Sequence, residues 1–229
     1  MATPATRPPA DVPVTEASQA DASTLCTIVP RAFHPVNPYI KKTMPDTPDM
    51  RSWWSRIFTD EINDKNAHLL AAVDPNSGTA VGILSMRRMT AQQKGAGAWS
   101  MYSLTPDHDE ENYRAMIDSM GQCRERLMLG RPHMLIQLFG VDDAYKGKHI
   151  GQRLLVRACE LGDAAGLDIF VQANGTAAPF YCKQGFCVED EVVMPDGVYG
   201  ESIWSGLEGD LCIGDGSSCR HLLVNETGR

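Results

Sequence analysis

A chain of 229 residues with an ordinary apolar share is long enough for one substantial core. Its formal charge of −8 disfavours nucleic acid and anionic membrane surfaces as partners, because the basic residues are scattered rather than gathered into a patch. Seven cysteines, an odd number without any CxxC, argue against structural zinc and for a reducing compartment, with the cytoplasm as the default address.

Residues 1–11 are rich in proline and alanine and lack the apolar centre of a signal peptide, so they read as a flexible tail. No segment reaches the length of a membrane span. "VPVTEA" suits a short first strand. "SQADASTLCTIVPRAF" places Leu25, Ile28, Val29 and Phe33 at helical spacing, with Pro30 expected to kink or end the helix. "HPVNPYIKKTMPDTPDM", with four prolines, reads as a loop. "MRSWWSRIFTDEIN" follows as a helix with Asp49 as its expected cap. "AHLLAAVD" and "TAVGILSMRR", separated by "PNSG", predict a β-hairpin. Asp107 to Leu129 has helical spacing again, through Tyr113, Met116, Ile117, Met120, Cys123 and Leu127.

"HMLIQLFGV" is a buried strand by composition. A helix is expected from about Lys148, with Ile150, Leu154, Leu155, Ala158, Cys159 and Leu161 on one face. "LDIFVQA" is a strand, "GTAAPFYCKQ" a short helix stopped at Gly185, and "FCVEDEVVM" a late strand. The remainder is glycine-rich without clear periodicity. This order predicts one α/β domain with a mixed central β-sheet flanked by helices.

The stretch "AYKGKHIGQRLL" carries the chemistry. A strand ends near Val141, and a helix begins after a loop that contains Lys146, Gly147, Lys148, His149 and Gly151. The first backbone donors of such a helix lack intrahelical partners, and the helix dipole favours an anion there. Glycines give a phosphate access to backbone. The pattern is neither GxxxxGK[ST] nor GxGxxG, so a P-loop is not supported. A plain polar turn ahead of an amphipathic helix fits the same residues.

"LFGVDDAYKGKHIGQRLL", followed two elements later by "ANGTAAPFYCKQGF", resembles the GCN5-related N-acetyltransferase (GNAT) superfamily. The superfamily's central motif (Arg or Gln, two variable residues, Gly, one variable residue, Gly or Ala) falls on Lys146 to Gly151. Lys146 stands at the Arg/Gln position and His149 at the first glycine. The resemblance spans roughly residues 12–206, with a helical insert near 107–129, and leaves 207–229 as a glycine-rich C-terminal extension. It implies an acyl-CoA N-acyltransferase-like fold and acetyl-CoA or coenzyme A as the cofactor.

By the same resemblance, Phe139, Gly140 and Val141 would hold the pantetheine arm through their backbone. Lys146, Gly147, Lys148, His149, Ile150 and Gly151 would cradle the phosphates, while Asn174 and Ala178 would line the thiol end. Tyr181 would protonate the departing thiolate; it also reads as an aromatic buried beside Phe180 and Phe186. For the base, Asp142, Asp143, Glu110, Glu111, His34 and a water chain all remain open; an ordinary imidazole pKa suits His34 to proton transfer. The implied reaction is acetyl transfer to a small-molecule amine. A GNAT-fold enzyme of specialised metabolism without acyl transfer, or a non-catalytic binding domain, fits the same scaffold. No metal, nucleic-acid or membrane partner is expected, and the oligomeric state is open, a homodimer included.

Overall fold

The structure, a computed structural model, describes residues 12–175, 177–192 and 220–225. The expected N-terminal tail and most of the C-terminal extension lie outside the described residues. Strands β1 (Val14–Glu16), β2 (Ala67–Val73), β3 (Ala80–Met89) and β4 (His133–Val141) pair antiparallel in sequence order. β5 (Asp168–Asn174), β6 (Phe186–Val192) and β7 (Arg220–Asn225) extend the sheet in parallel, giving the order β1-β2-β3-β4-β5-β7-β6. The predicted hairpin forms as read. Asp74 closes its turn by accepting from the Asn76 amide at 2.9 Å, and Gly78 takes the left-handed conformation at φ 65°.

Helices α1 (Ala22–Leu25), α2 (Ile28–Phe33), α3 (Pro38–Thr43), α4 (Pro48–Asn63) and α5 (Glu110–Met128) share one core with one face of the sheet. α6 (Ile150–Ala165) and α7 (Ala178–Cys182) share a second core with the other face. The pleat sorts the strands between them: Leu135 and Phe170 point to the first core, Met134, Ile136, Ile169 and Val171 to the second. Among the described residues no helix is long and apolar enough to cross a membrane.

Three local expectations are corrected. The first helix breaks at Cys26–Thr27 rather than at Pro30, which sits in the opening turn of α2, where its missing N–H is not needed. The proline-rich loop contains α3, started by Asn37 accepting from the Ile40 amide at 3.0 Å with Pro38 directly inside. Thr47, not Asp49, caps α4, and Asp49 lies in its first turn, where a carboxylate favours the dipole. Residues 220–225 of the glycine-rich extension form β7, inserted between β5 and β6.

One irregularity shapes the centre of the sheet. β4 pairs with β5 only from His133↔Asp168 to Ile136↔Val171. Beyond that pair the strands part, and Gln137 is the extra residue of a bulge against β3, between Ser85↔Leu138 and Met86↔Ile136. The result is a fork in the sheet, its crotch at Gln137 on one strand and Gln172 on the other.

Candidate active site

A cavity of about 420 Å³ opens at this fork and draws its walls from both layers. From the α6 and α7 side come Phe139, Val141, Lys146, Gly151, Phe180 and Tyr181. From the other side come Tyr39, Met44, Trp54, Trp99, Met116 and Met120. The parted strands thus connect a chamber beside the α6 N-terminus with an apolar, aromatic chamber under α3, α4 and α5.

α6 begins at Ile150, two residues later than the start at about Lys148 that the sequence predicts. Its N-cap is His149, with φ 58°, among the described residues the one non-glycine in the left-handed region. Its ring lies 3.3 Å from Gln152 Oε1 through Nδ1. Gly147 also has positive φ, at 77°. Lys146 pairs with Asp143, and the Lys148 ammonium stands 4.0 Å from the Tyr145 ring centroid. Gly151 lines the cavity, and a Cβ there would meet Phe139, Val141 and Phe180 at ordinary contact distance. Ile150 turns inward as a buried anchor, held by β3 through Gly82, where any Cβ would come within 2.9 Å of it.

At the far end of the fork, Asn174 lines the cavity and commits its Oδ1 to the Ala177 amide at 2.8 Å. Ala178 is buried behind it. Tyr181 lines the cavity among Phe139, Phe180 and Phe186, with ring centroids 5.4–5.8 Å away. Burial pushes its phenol far up, so it holds its proton at any working pH.

The residues singled out as bases stand elsewhere. Asp142 receives Arg31, which also donates to the Ala80 carbonyl at 2.6 Å, and its other oxygen accepts from the Ala144 amide at 3.0 Å. Its carboxylate is therefore bound into the β4–α2 junction. His34 lies outside the cavity lining, with Nε2 3.0 Å from the Met44 carbonyl, and burial lowers its pKa. Gly147, Lys148 and His149 do not line the cavity, whereas Lys146 and Gly151 do.

A carboxyl that the sequence reading passed over lies behind the aromatic chamber. Glu61, on α4, is 1% exposed and the one buried carboxylate among the described residues. Ser85 donates to its Oε2 at 2.8 Å, and Gln137 donates to its Oε1 at 3.1 Å. Loss of hydration raises its pKa to about 7, against the opposing pull of these donors and of Arg87. The only sequence signals were two glutamines inside otherwise apolar strands, "LIQLF" and "FVQAN".

Residues 119–200 match the family model described as an acetyltransferase (GNAT) domain. A search of curated proteins found no match. Among solved structures, a mosquito arylalkylamine N-acetyltransferase-like protein (5b) aligns with a TM-score of 0.57 at 18% identity, covering 86% of this chain and 94% of that one. A Trypanosoma brucei acetyltransferase aligns at TM-score 0.47 and 16% identity, over 88% of this chain and 100% of its own. PaiA N-acetyltransferase from Thermoplasma acidophilum, in complex with coenzyme A, aligns at 0.45 and 16%, over 78% and 91%.

Proposed function

We infer the reaction from one premise: the chain carries a GNAT-type acetyltransferase domain and is an acyltransferase by that match and by its fold. The reading it supports is transfer of an acetyl group from acetyl-CoA to a small-molecule amine. The observation that carries it is the fork itself, a cavity that joins the α6 N-terminus to an apolar chamber through parted strands.

The residues present fit coenzyme A. Gly147 and the opening of α6 offer unencumbered backbone beside Lys146 and Lys148, which suits phosphates. On its β5 side, beyond the last β4–β5 pair, Phe139–Val141 offers a strand edge along which a pantetheine amide chain can hydrogen-bond. When bound, acetyl-CoA supplies an activated thioester. The protein then has to orient it, keep water out and manage two protons. The proton donor at the thiol end is proposed to be Tyr181, a reading supported by its place in the cavity lining. The apolar, aromatic lining of the acceptor side disfavours water there.

Calorimetric titration with coenzyme A and acetyl-CoA tests this reading. Micromolar binding, followed by acetylation of a small amine, is the expected result. A folded protein that binds neither ligand at millimolar concentration would remove acyl transfer from consideration.

A further inference from the structure

The wall of the aromatic chamber that carries Trp99 belongs to no strand. Residues 90–109 run from β3 to α5 with one short helical turn, Ala98–Met101, so their backbone groups need partners from elsewhere. α5 supplies several. Arg124 Nε donates to the Gly95 carbonyl at 2.7 Å, and its Nη2 donates to the Gln93 carbonyl at 2.8 Å. Glu125 accepts from the Gly95 amide at 2.8 Å, and Tyr113 donates to the Trp99 carbonyl at 3.3 Å. The segment lies directly on the helix at Gly121, where a Cβ would come within 3.1–3.2 Å of the Gly95 and Ala96 backbone. It also closes on the fork: a Cβ at Gly97 would stand 2.6 Å from Gln137 Oε1.

Arg124 is the costly member of this set. It is 0% exposed, and among the described residues no carboxylate pairs with it. Its remaining polar contact is His133 Nε2, 3.4 Å from Nη1. Burial lowers the His133 pKa to about 4, which keeps the imidazole neutral beside the guanidinium. Taking a charge out of water is expensive, and an apolar side chain of similar volume often serves stability as well. What an apolar side chain lacks is the fork of donors that fixes two carbonyls of an irregular segment in one arrangement. The segment so fixed carries Trp99 into the cavity lining, edge to face with Trp54 at 5.1 Å between ring centroids.

We propose that Arg124 is a positioning residue of the acyltransferase site: by clamping Gln93 and Gly95 to α5 it holds Trp99 in the cavity wall and keeps water from the thioester. This rests on the acyl-transfer reading and goes beyond it, since it assigns closure of the wall to a residue outside the cavity lining.

A wall set loose admits water, and water competes with an amine for the thioester carbonyl. The carbonyl carbon then gains a bond to the water oxygen, and its bond to sulfur breaks. The sulfur leaves as the coenzyme A thiol with one of the water protons. Acetate is released, and the other proton goes to solvent.

Hydrolysis of acetyl-CoA without any amine, followed as thiol release, tests this with no knowledge of the acceptor. Arg124→Met is expected to raise the hydrolysis rate severalfold while coenzyme A affinity stays level. In fluorotryptophan-labelled protein it should also shift or broaden the fluorine resonance that Trp99→Phe removes. Arg124→Lys keeps the charge but offers a compact ammonium in place of the fork, so it should show both effects in smaller measure. Hydrolysis at the wild-type rate in a folded Arg124→Met overturns the proposal, even where the thermal transition is lowered, because Arg124 then serves the fold alone. A raised rate with an unmoved Trp99 resonance overturns it too, since the route through the wall is then wrong. Should Arg124→Met not fold, Arg124→Lys is held to the same two readouts. Coenzyme A titrated into the same preparations separates the two readings. If the wild type binds it and hydrolysis does not respond, only the clamp falls; if the wild type does not bind it, both fall.

Discussion

His149 holds a backbone conformation that its side chain disfavours. At φ 58° and ψ 14° it sits in the left-handed region, where a Cβ crowds the carbonyl oxygen. The exposed ring gains one polar contact with Gln152, too little to offset that crowding. Glycine meets the same dihedrals without a Cβ, at some entropic cost in the unfolded chain. His149→Gly is therefore expected to raise unfolding free energy by about 0.5–1 kcal/mol. Denaturant titration checks this, and coenzyme A affinity should rise or stay level, because backbone at the start of α6 becomes more accessible. The substitution at this motif position was legible in the sequence. The strain was not, since nothing local distinguishes a histidine cap in the left-handed region from one outside it. Glu61 was hidden for a different reason: "TDEIN" reads as the polar end of an amphipathic helix, and its burial comes from long-range packing against Ser85 on β3 and Gln137 on β4.

At the scale of elements, the strands and the long helices α4, α5 and α6 follow their periodicity, because each presents one continuous apolar stripe to the sheet. The elements that were missed are short or lack such a stripe. α3 has six residues, and its start signal, Asn37 followed by Pro38, was masked by the density of prolines around it. β7 acquires its place only by pairing with β5 and β6, a long-range event that local composition does not encode. α3 supplies Tyr39 to the wall of the aromatic chamber, where its hydroxyl donates to the Asn112 carbonyl at 2.5 Å. Removing the cap should loosen this wall alone. Asn37→Ala is expected to cost about 1 kcal/mol of stability. It should weaken binding of an acceptor amine in that chamber severalfold and leave coenzyme A affinity unchanged, as paired titrations would show. Equal weakening of both ligands would mean that the two chambers are not independent.

For the whole molecule, two buried groups of opposite kind set the response to pH. Glu61 has its carboxyl raised from 4.5 to about 7. His133, buried on β4, donates from Nδ1 to the Arg131 carbonyl at 2.7 Å and turns Nε2 to the Arg124 guanidinium, and burial lowers its pKa from 6.5 to about 4. The signs follow from which state binds the proton. Between pH 4.5 and 7 unfolded Glu61 has lost its proton while the folded form keeps it, so stability falls as pH rises. Between pH 6.5 and 4 unfolded His133 is charged while the folded form stays neutral, so stability falls as pH drops. Each effect spans roughly 3 kcal/mol at 1.36 kcal/mol per pH unit. Over pH 4.5–6.5 the two nearly cancel, with His34 and His108, also held low by burial, adding to the histidine side. Glu61→Gln removes one half of this balance. The variant should match the wild type near pH 4.5 and exceed it by about 2–3 kcal/mol at pH 8. Urea titrations of both proteins across that range would measure the difference directly. A variant no more stable than the wild type at pH 8 would mean that Ser85, Gln137 and Arg87 already compensate the ionised carboxylate.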